Sequence, residues 1–307
     1  MSEAGPNLSL SQSHARSTRI ALSALFGGAV GIGFAPIFVR LSELGPSATA
    51  FWRLALSLPP LWVWLAIEGQ ATVTPRRPSC VTDYRRLAVA GLFFAADLAV
   101  WHWSIKLTSV ANATLLANAT PIFVTLAAWL WFGQRFTRTF ILGMAAAMAG
   151  ATILAGASLR LSPQHLLGDA LGLLTAIFYA GYILAVKELR DDFSTATIMT
   201  WSGVVSAVAL LPITLLSGEG LIAFTTRGWT VLVGLALVSH IGGQGLITYA
   251  LAHLPAAFSS VGLLLQPAVA AMLAWIILDE PIGLWQALGG AIVLAGVVVA
   301  RQGSRSA

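Results

Sequence analysis

Polar side chains inside long apolar stretches are the residues of this sequence that could do chemistry. Asp97 is the clearest case, because it lies in the middle of LFFAADLAVWHWSIKL with no basic residue within a helical turn. A charged group at membrane depth costs roughly 2.5–3.5 kcal/mol on insertion scales, which makes it a functional candidate. The Asp97 carboxyl could titrate, bind an ammonium group or accept a hydrogen bond from a neighbouring helix. Trp101 follows four residues later and is expected on the same helical face.

A second polar pair, His240 and Gln244, is also four residues apart. Gly242, Gly243 and Gly245 lie beside it, and such small residues indicate close helix packing or a locally irregular helix. The pair is a candidate for a cavity wall, although a lone histidine among apolar residues is more often a packed hydrogen-bond donor.

Two further candidates with amide side chains, Asn118 and Gln266, lie close to prolines in the sequence. Asn118 precedes Pro121 by three residues, and Gln266 precedes Pro267 directly. A proline removes one backbone hydrogen bond and can kink its helix, so Pro36, Pro121 and Pro267 are candidate hinges. Static kinks with locally satisfied polar groups are the alternative.

Aromatic residues are further candidates for a cavity lining, and the set is Trp101, Trp103, Tyr179, Tyr182 and Tyr249. An aromatic cavity would suit apolar or aromatic metabolites and organic cations. Arg53 has a structural interpretation, because it lies near the end of an apolar segment. Its side chain is expected to reach the membrane interface and to pair with Glu43.

The composition places these residues in a membrane protein. Hydrophobic residues are 57% of the 307 and charged residues only 9%, against about 25% charged in soluble domains. A soluble enzyme and a nucleic-acid-binding module are therefore excluded. Segments of roughly 20 apolar residues cross a bilayer as helices. The sequence has ten such segments, at about 20–40, 47–67, 86–106, 109–132, 139–158, 167–187, 195–217, 229–251, 256–278 and 282–300.

Basic residues predict the orientation of these ten spans. Twelve of the seventeen Lys and Arg residues lie in the loops and termini of one side, four lie on the other, and Arg53 lies within a span. Since positive charge accumulates on the cytoplasmic side, both termini are expected there. The lone cysteine, Cys80, lies in a loop on the same side and excludes an intrachain disulfide. If the source is bacterial, the inner membrane follows.

An internal repeat divides the chain. With an offset of 146 positions, residues 103–154 match 249–300 without a gap at nine positions, including Pro121 with Pro267. The predicted organisation is a polar N-terminus over 1–18, a first repeat over 19–158, a second over 166–301 and a C-terminus over 302–307. Five spans per repeat is an odd number, so the second repeat must be inverted. Inverted repeats are typical of secondary transporters and also occur in channels.

Two longer strings carry a family resemblance. FAPIFVRLSELGPSATAFWR (34–53) and LTSVANATLLANATPIFVTLAAWLWFGQRF (107–136), with its counterpart at 253–282, resemble the EamA-type halves of the drug/metabolite transporter superfamily. The resemblance covers about residues 20–301. It implies an all-α polytopic fold of ten spans in two halves, a central cavity, and export of small metabolites, often amino acids. One departure is Gln134, where the family commonly has Glu.

The function predicted from these observations is a secondary transporter working by alternating access, with Asp97 as a possible proton-coupling or amine-binding group. The cavity candidates are Asp97, Trp101, Asn118, Tyr179, His240, Gln244 and Gln266. A passive facilitator or channel is the alternative. The sequence lacks GxSG, GxGD, HExxH and Walker A motifs, so an enzyme is not expected. No metal, cofactor or nucleic acid is expected, and the partners are a small-molecule substrate and the bilayer. The sequence specifies neither the compound nor the oligomeric state.

Overall fold

The computed structural model describes residues 5–70, 75–108, 110–155, 165–279 and 283–305, which contain helices and no strand. Ten helical spans among them are long and apolar enough to cross a membrane, which confirms the predicted number. Their bounds are Arg16–Leu41, Pro46–Glu68, Val81–Ser104, Ala113–Phe132, Arg138–Ala155, Leu166–Leu189, Thr195–Leu216, Thr226–Leu251, Ala256–Ile277 and Leu284–Ser304. Large apolar side chains such as Trp131 and Leu216 are exposed, as expected of a surface that contacts lipid.

Several spans consist of more than one helix. In chain order the helices are α1 (Gly5–Gly33), α2 (Ala35–Leu41), α3 (Pro46–Ala55), α4 (Leu58–Glu68), α5 (Val81–Leu107), α6 (Val110–Ala117), α7 (Thr120–Phe132), α8 (Arg138–Ala155), α9 (Leu166–Leu189), α10 (Thr195–Leu216), α11 (Thr226–Gly234), a π-helix (Leu235–Gln244), α12 (Gly245–Leu251), α13 (Ala256–Gly262), α14 (Leu265–Leu278) and α15 (Leu284–Arg305). Residues 5–18, expected to be a polar N-terminus, continue as helix into the first span.

Prolines explain where the spans are interrupted. Pro36 lies in the first turn of α2 and Pro121 in the first turn of α7, so neither needs the backbone hydrogen bond that a proline cannot donate. Pro267 lies at the start of α14 in the same way. The second span breaks between α3 and α4 ahead of Pro59 and Pro60.

The fourth and ninth spans share two features: a helix break, which lies within one residue of the 146-residue offset, and a left-handed helix end, which matches the offset. Each breaks near its first third, at 118–119 and at 263–264. Each second helix ends on a residue in the left-handed region, Gly133 at φ 63° and Asp279 at φ 54°. These breaks and caps are therefore the structural counterpart of the sequence repeat in these two spans.

The fifth and tenth spans cross at very short distance through small residues. A Cβ added at Gly143 would lie 2.2 Å from the backbone N of Ala300, and one at Gly296 would lie 2.4 Å from the backbone N of Ala147. Only glycine allows the backbones to approach so closely. This packing keeps the two spans against each other, and neither contributes a residue to the cavity described below.

The third and sixth spans pack against each other in the protein interior. Phe94 of α5 stacks on Tyr182 of α9 with 4.7 Å between ring centroids. Both residues belong to the main buried apolar cluster. From this packed helix pair α5 presents Asp97 and α9 presents Tyr179 to the cavity.

Candidate functional site

A cavity of about 170 Å³ lies between the first, second, third, fourth, sixth, eighth and ninth spans. On the first and third spans its lining residues come from the last part of the helix, and on the second and fourth spans from the first part. Because neighbouring spans alternate in direction, these parts lie in the same half of the bundle. Arg76, Arg86, Arg138 and Arg190 lie at the other end, here called the basic end. The cavity thus extends from the middle of the bundle away from the basic end.

Asp97 lines this cavity. Its side chain is buried, with 8% of the residue exposed, and it accepts no hydrogen bond from the residues that the structure describes. Trp101, one helical turn further along α5, also lines the cavity, as the spacing predicts. Asp97 therefore offers a carboxyl group to the cavity from the centre of the third span.

Arg53 corrects a sequence-based expectation. It does not reach the interface or pair with Glu43: it lies two turns inside the second span, is 9% exposed and lines the cavity. The Glu43 carboxylate instead accepts hydrogen bonds from the backbone N–H groups of Phe224 and Thr225, at 2.9 and 3.1 Å, and from the Thr225 hydroxyl. The interpretation failed because the neighbours of an Arg in a span depend on helix packing, which the sequence does not show.

The Arg53 guanidinium has few protein contacts. Its Cζ lies 5.9 Å from the centroid of the Phe94 ring, and it interacts electrostatically with Asp97. No ion pair of 4.0 Å or less reaches Arg53 within the described ranges, and its buried Nε has no hydrogen-bond partner. Two opposite charges therefore border the cavity without direct contact between them.

An aromatic wall adjoins these charges. Tyr179 lines the cavity and stacks on Tyr182 at 6.0 Å, and Tyr182 in turn stacks on Phe94. Tyr182 is almost fully buried behind this layer. Trp103 had been expected as a further cavity residue, but it is 46% exposed and is absent from the lining.

The eighth span contributes an irregular segment to the wall. Residues Leu235–Gln244 form a π-helix, a rare conformation that is often found at functional sites. Gly243 of this segment packs against Gly31 of the first span, in agreement with the predicted close approach and irregular helix. Gln244 lines the cavity beside the hydroxyls of Tyr179 and Tyr182, yet neither of its side-chain polar atoms makes a hydrogen bond of normal geometry with the residues that the structure describes.

His240 differs from the other candidates, because it does not line the cavity. It is 2% exposed, it stacks on Phe94 at 5.6 Å, and neither ring nitrogen has a hydrogen-bond partner within the described part of the chain. The spacing argument placed it on one face with Gln244 by assuming α-helical geometry, which does not hold across the π-helix.

The helix breaks bring the remaining candidates to the cavity. Asn118 lies in the break between α6 and α7, and Gln266 lies in the first turn of α14. Both line the cavity, and the Nε2 atom of Gln266 has no hydrogen-bond partner in the described ranges. Pro36, Pro121 and Pro267 line it as well. The cavity is therefore lined by the first, fourth and ninth spans at the points where their helices are interrupted.

Ionic contacts connect loops at the basic end. Arg76 contacts Asp83 and Asp192, each at 2.9 Å, and Arg86 contacts Asp192 at 2.6 Å. The hydrogen bond from Arg86 and the charges of Arg76 and Arg86 lower the pKa of Asp192 below its ordinary value of 3.8. At the opposite end, the hydrogen bonds from Thr225 and Phe224 lower the pKa of Glu43. Both loop regions are thus held by charged groups outside the cavity.

Metal-ligating side chains do not gather in the described residues, where no group of three or more His, Cys, Asp or Glu occurs. The cavity lining offers the Asp97 carboxyl, the Arg53 guanidinium, the imidazole of His102, three amides, several Ser and Thr hydroxyls and an aromatic wall. Such a set can bind and orient a small polar molecule.

Comparisons with known proteins give one family. The sequence pattern of the EamA-like transporter family matches residues 19–156 and again residues 166–302. A probable terminal-alkyne amino-acid exporter of Streptantibioticus cattleyicolor is 30% identical over 273 residues, 87% of either chain. The pseudopaline exporter of Pseudomonas aeruginosa is 27% identical over 216 residues, 70% of this chain and 74% of its own.

Two further comparisons are with another transporter and with a solved structure. An uncharacterized transporter of Archaeoglobus fulgidus is 25% identical over 268 residues, 85% of this chain and 90% of its own. A solved crystal structure superposes with a TM-score of 0.76 and covers 93% of this chain and 98% of its own. At 16% identity, this superposition shows a common fold.

Proposed function

Because the chain belongs to the EamA-like transporter family and is an integral membrane transporter, we propose that it exports small amphipathic metabolites such as amino acids. The observation that carries this proposal is the cavity, which is lined by both halves of the chain and bordered by a carboxylate and a guanidinium. The similarity to a probable terminal-alkyne amino-acid exporter supports the substrate class.

The two matches of the family pattern support a division into repeats over 19–158 and 166–301. Five spans in each repeat make the two inverted with respect to each other. The basic end faces the cytoplasm, since positive loops remain on that side, and the cavity then opens toward the outside. The membrane is the inner membrane of a bacterium.

Transport proceeds by alternating access between the two repeats. The breaks beside Pro36, Pro121 and Pro267 are the hinges, because residues around a helix break change their backbone angles without loss of a regular hydrogen-bond ladder. The lining amides of Asn118, Gln244 and Gln266 bind neutral polar groups of the substrate.

Asp97 is the group that responds to a proton or to a substrate amine. It is the carboxyl group of the cavity lining, and it lies at the depth where transporters bind coupling ions. His240 acts behind the cavity wall through Phe94, on which it stacks, in place of the direct contact that its spacing predicts.

Trans-stimulated uptake into proteoliposomes tests the proposal. Purified protein is reconstituted, the vesicles are preloaded with an unlabelled amino acid or metabolite, and entry of the same labelled compound is measured with and without a pH gradient. Saturable uptake that rises on preloading is expected of an alternating-access transporter. Uptake that never saturates, or single-channel currents in planar bilayers, would instead indicate a facilitator or channel.

A further inference from the structure

Arg53 is a buried cation that makes no ion pair within 4.0 Å among the described residues, although it lies over the Phe94 ring and interacts electrostatically with Asp97. Arg53 is 9% exposed, and its Nε atom has no hydrogen-bond partner in the described part of the chain. Buried guanidinium groups normally donate paired hydrogen bonds to a carboxylate or to backbone oxygens. Here the guanidinium instead borders an open cavity, with the face of Phe94 on one side.

Asp97 is the acidic residue in the lining of the same cavity. It interacts electrostatically with Arg53, but the two side chains do not form an ion pair within 4.0 Å, although both line the same cavity. The cavity wall therefore carries one basic and one acidic side chain that do not form an ion pair with each other. Charged groups removed from water need partners, and a ligand in the cavity could supply one to each of these two side chains.

We propose that Arg53 and Asp97 together form a binding site for a zwitterion, in which Arg53 binds the carboxylate and Asp97 binds the ammonium group of an amino acid. This inference rests on the proposed function, since it names the substrate class of the same cavity.

Charge balance favours a zwitterion over singly charged compounds. An organic cation at Asp97 would place a second positive charge beside Arg53, and a simple carboxylate at Arg53 would place a second negative charge beside Asp97. A zwitterion satisfies both groups and leaves the net charge of the site unchanged. Like-charge contacts of this kind are what excludes wrong ligands from a binding site.

The rest of the lining indicates an apolar or aromatic side chain on the amino acid. Phe94, Trp101 and Tyr179 line the cavity close to the charged pair, and apolar residues such as Leu263 and Leu264 lie on the ninth span. An apolar substrate side chain gains free energy by leaving water for such a wall.

Matched analogues separate the two charge contacts. The probes are labelled L-phenylalanine, L-phenylalanine amide, which lacks the carboxylate, and 3-phenylpropionate, which lacks the ammonium group. A parallel set is built on L-leucine. In proteoliposomes at pH 7, we expect saturable, trans-stimulated uptake of the zwitterions. Each analogue is expected to be taken up about 10- to 100-fold less efficiently, the range for losing one hydrogen bond to a charged group.

Variants assign the contacts to residues. Arg53→Gln is expected to remove the preference for phenylalanine over its amide, and Asp97→Asn the preference over 3-phenylpropionate. Arg53→Lys keeps the charge without the planar fork and should retain part of the first preference. The matched control is Arg227→Gln, which changes an exposed arginine outside the cavity. Each preference is a ratio measured on one preparation, so it does not depend on how much of a variant is folded.

The outcomes distinguish this inference from the proposed function. If amides or simple carboxylates are transported saturably and the zwitterions are not, the charge-pair site is wrong and the transporter proposal remains. The site is also wrong if Arg53→Gln keeps the preference for phenylalanine over its amide. If no compound of the three classes gives saturable trans-stimulated uptake, both proposals are overturned.

Discussion

The contact between Gly31 and Gly243 joins the first span to the π-helix beside the cavity, and it allows a quantitative test. A Cβ added at Gly31 would lie 2.8 Å from the Cα of Gly243 and 3.2 Å from the carbonyl oxygen of Val238. These are backbone atoms, which cannot rotate away. Gly27, one turn earlier on the same helix, is the matched control, because its added Cβ would meet only the terminal Cδ1 of Leu246 at 3.5 Å.

The expected magnitude follows from these distances. An ordinary contact begins at 3.4 Å, so Gly31→Ala must move the two helices apart by about 0.6 Å, whereas Gly27→Ala requires no movement. Overpacking of this kind costs about 1–3 kcal/mol. The gain in helix propensity on replacing glycine by alanine, up to about 1 kcal/mol, applies to both variants and cancels in the comparison.

Thermal unfolding of the two purified variants in the same detergent, at one scan rate, is the assay. Gly31→Ala is expected to unfold at a lower temperature than Gly27→Ala, and its transport should fall because Gln244 moves with Gly243. A single scan rate matters, since unfolding of such proteins is commonly irreversible. If Gly31→Ala is as stable as Gly27→Ala, the two helices are not in backbone contact and the argument is refuted.

Three further predictions follow from the site and the basic end. Asp97→Asn should make transport independent of pH if Asp97 is the coupling group, whereas Asp191→Asn, at an exposed carboxylate, should leave the pH profile unchanged. The pKa of Asp192 is lowered chiefly by its hydrogen bond from Arg86, so its contribution to stability is complete above pH 3.8 and is lost as the pH falls through the lowered pKa. Melting temperatures from pH 6 to 3 should therefore fall less steeply in Asp192→Asn than in the unchanged protein. Pro121→Ala should lower the maximal transport rate more than the substrate affinity, because it removes a constraint that keeps the span broken. Equal losses in rate and affinity would argue against the hinge.

The spans could be predicted from the sequence because the bilayer fixes their length and polarity. The seventh span was predicted at 195–217 and occupies Thr195–Leu216. The third was predicted to begin at 86 but begins at Val81, since its first turns carry Asp83 and Arg86, which make ionic contacts at the basic end. Hydropathy counts such charged turns as loop, although they are helical.

The cavity candidates show which side-chain positions could be predicted from the sequence and which could not. Six of the seven predicted residues line the cavity, because a polar side chain in the middle of an apolar helix must face protein or an internal space. His240 was misplaced because periodicity assumes an α-helix and the segment is a π-helix. Arg53 was assigned to the membrane interface because Asp97, with which it interacts electrostatically, lies on another span, and lateral packing of spans cannot be read from spacing along one of them.

Among the described residues, the charged side chains of the cavity lining come from the first half of the chain. Arg53 and Asp97 belong to the second and third spans, whereas the eighth and ninth spans contribute the neutral amides of Gln244 and Gln266. Under the 146-residue offset the position equivalent to Asp97 is Gly243, which packs against the first span and has no side chain to offer. Symmetric halves explain how two conformations can be similar in energy, but they do not require a symmetric binding site. In the proposed zwitterion site both charged contacts lie on the first half, so we expect release to require the entry of water or a proton at Asp97 rather than separation of the two charges.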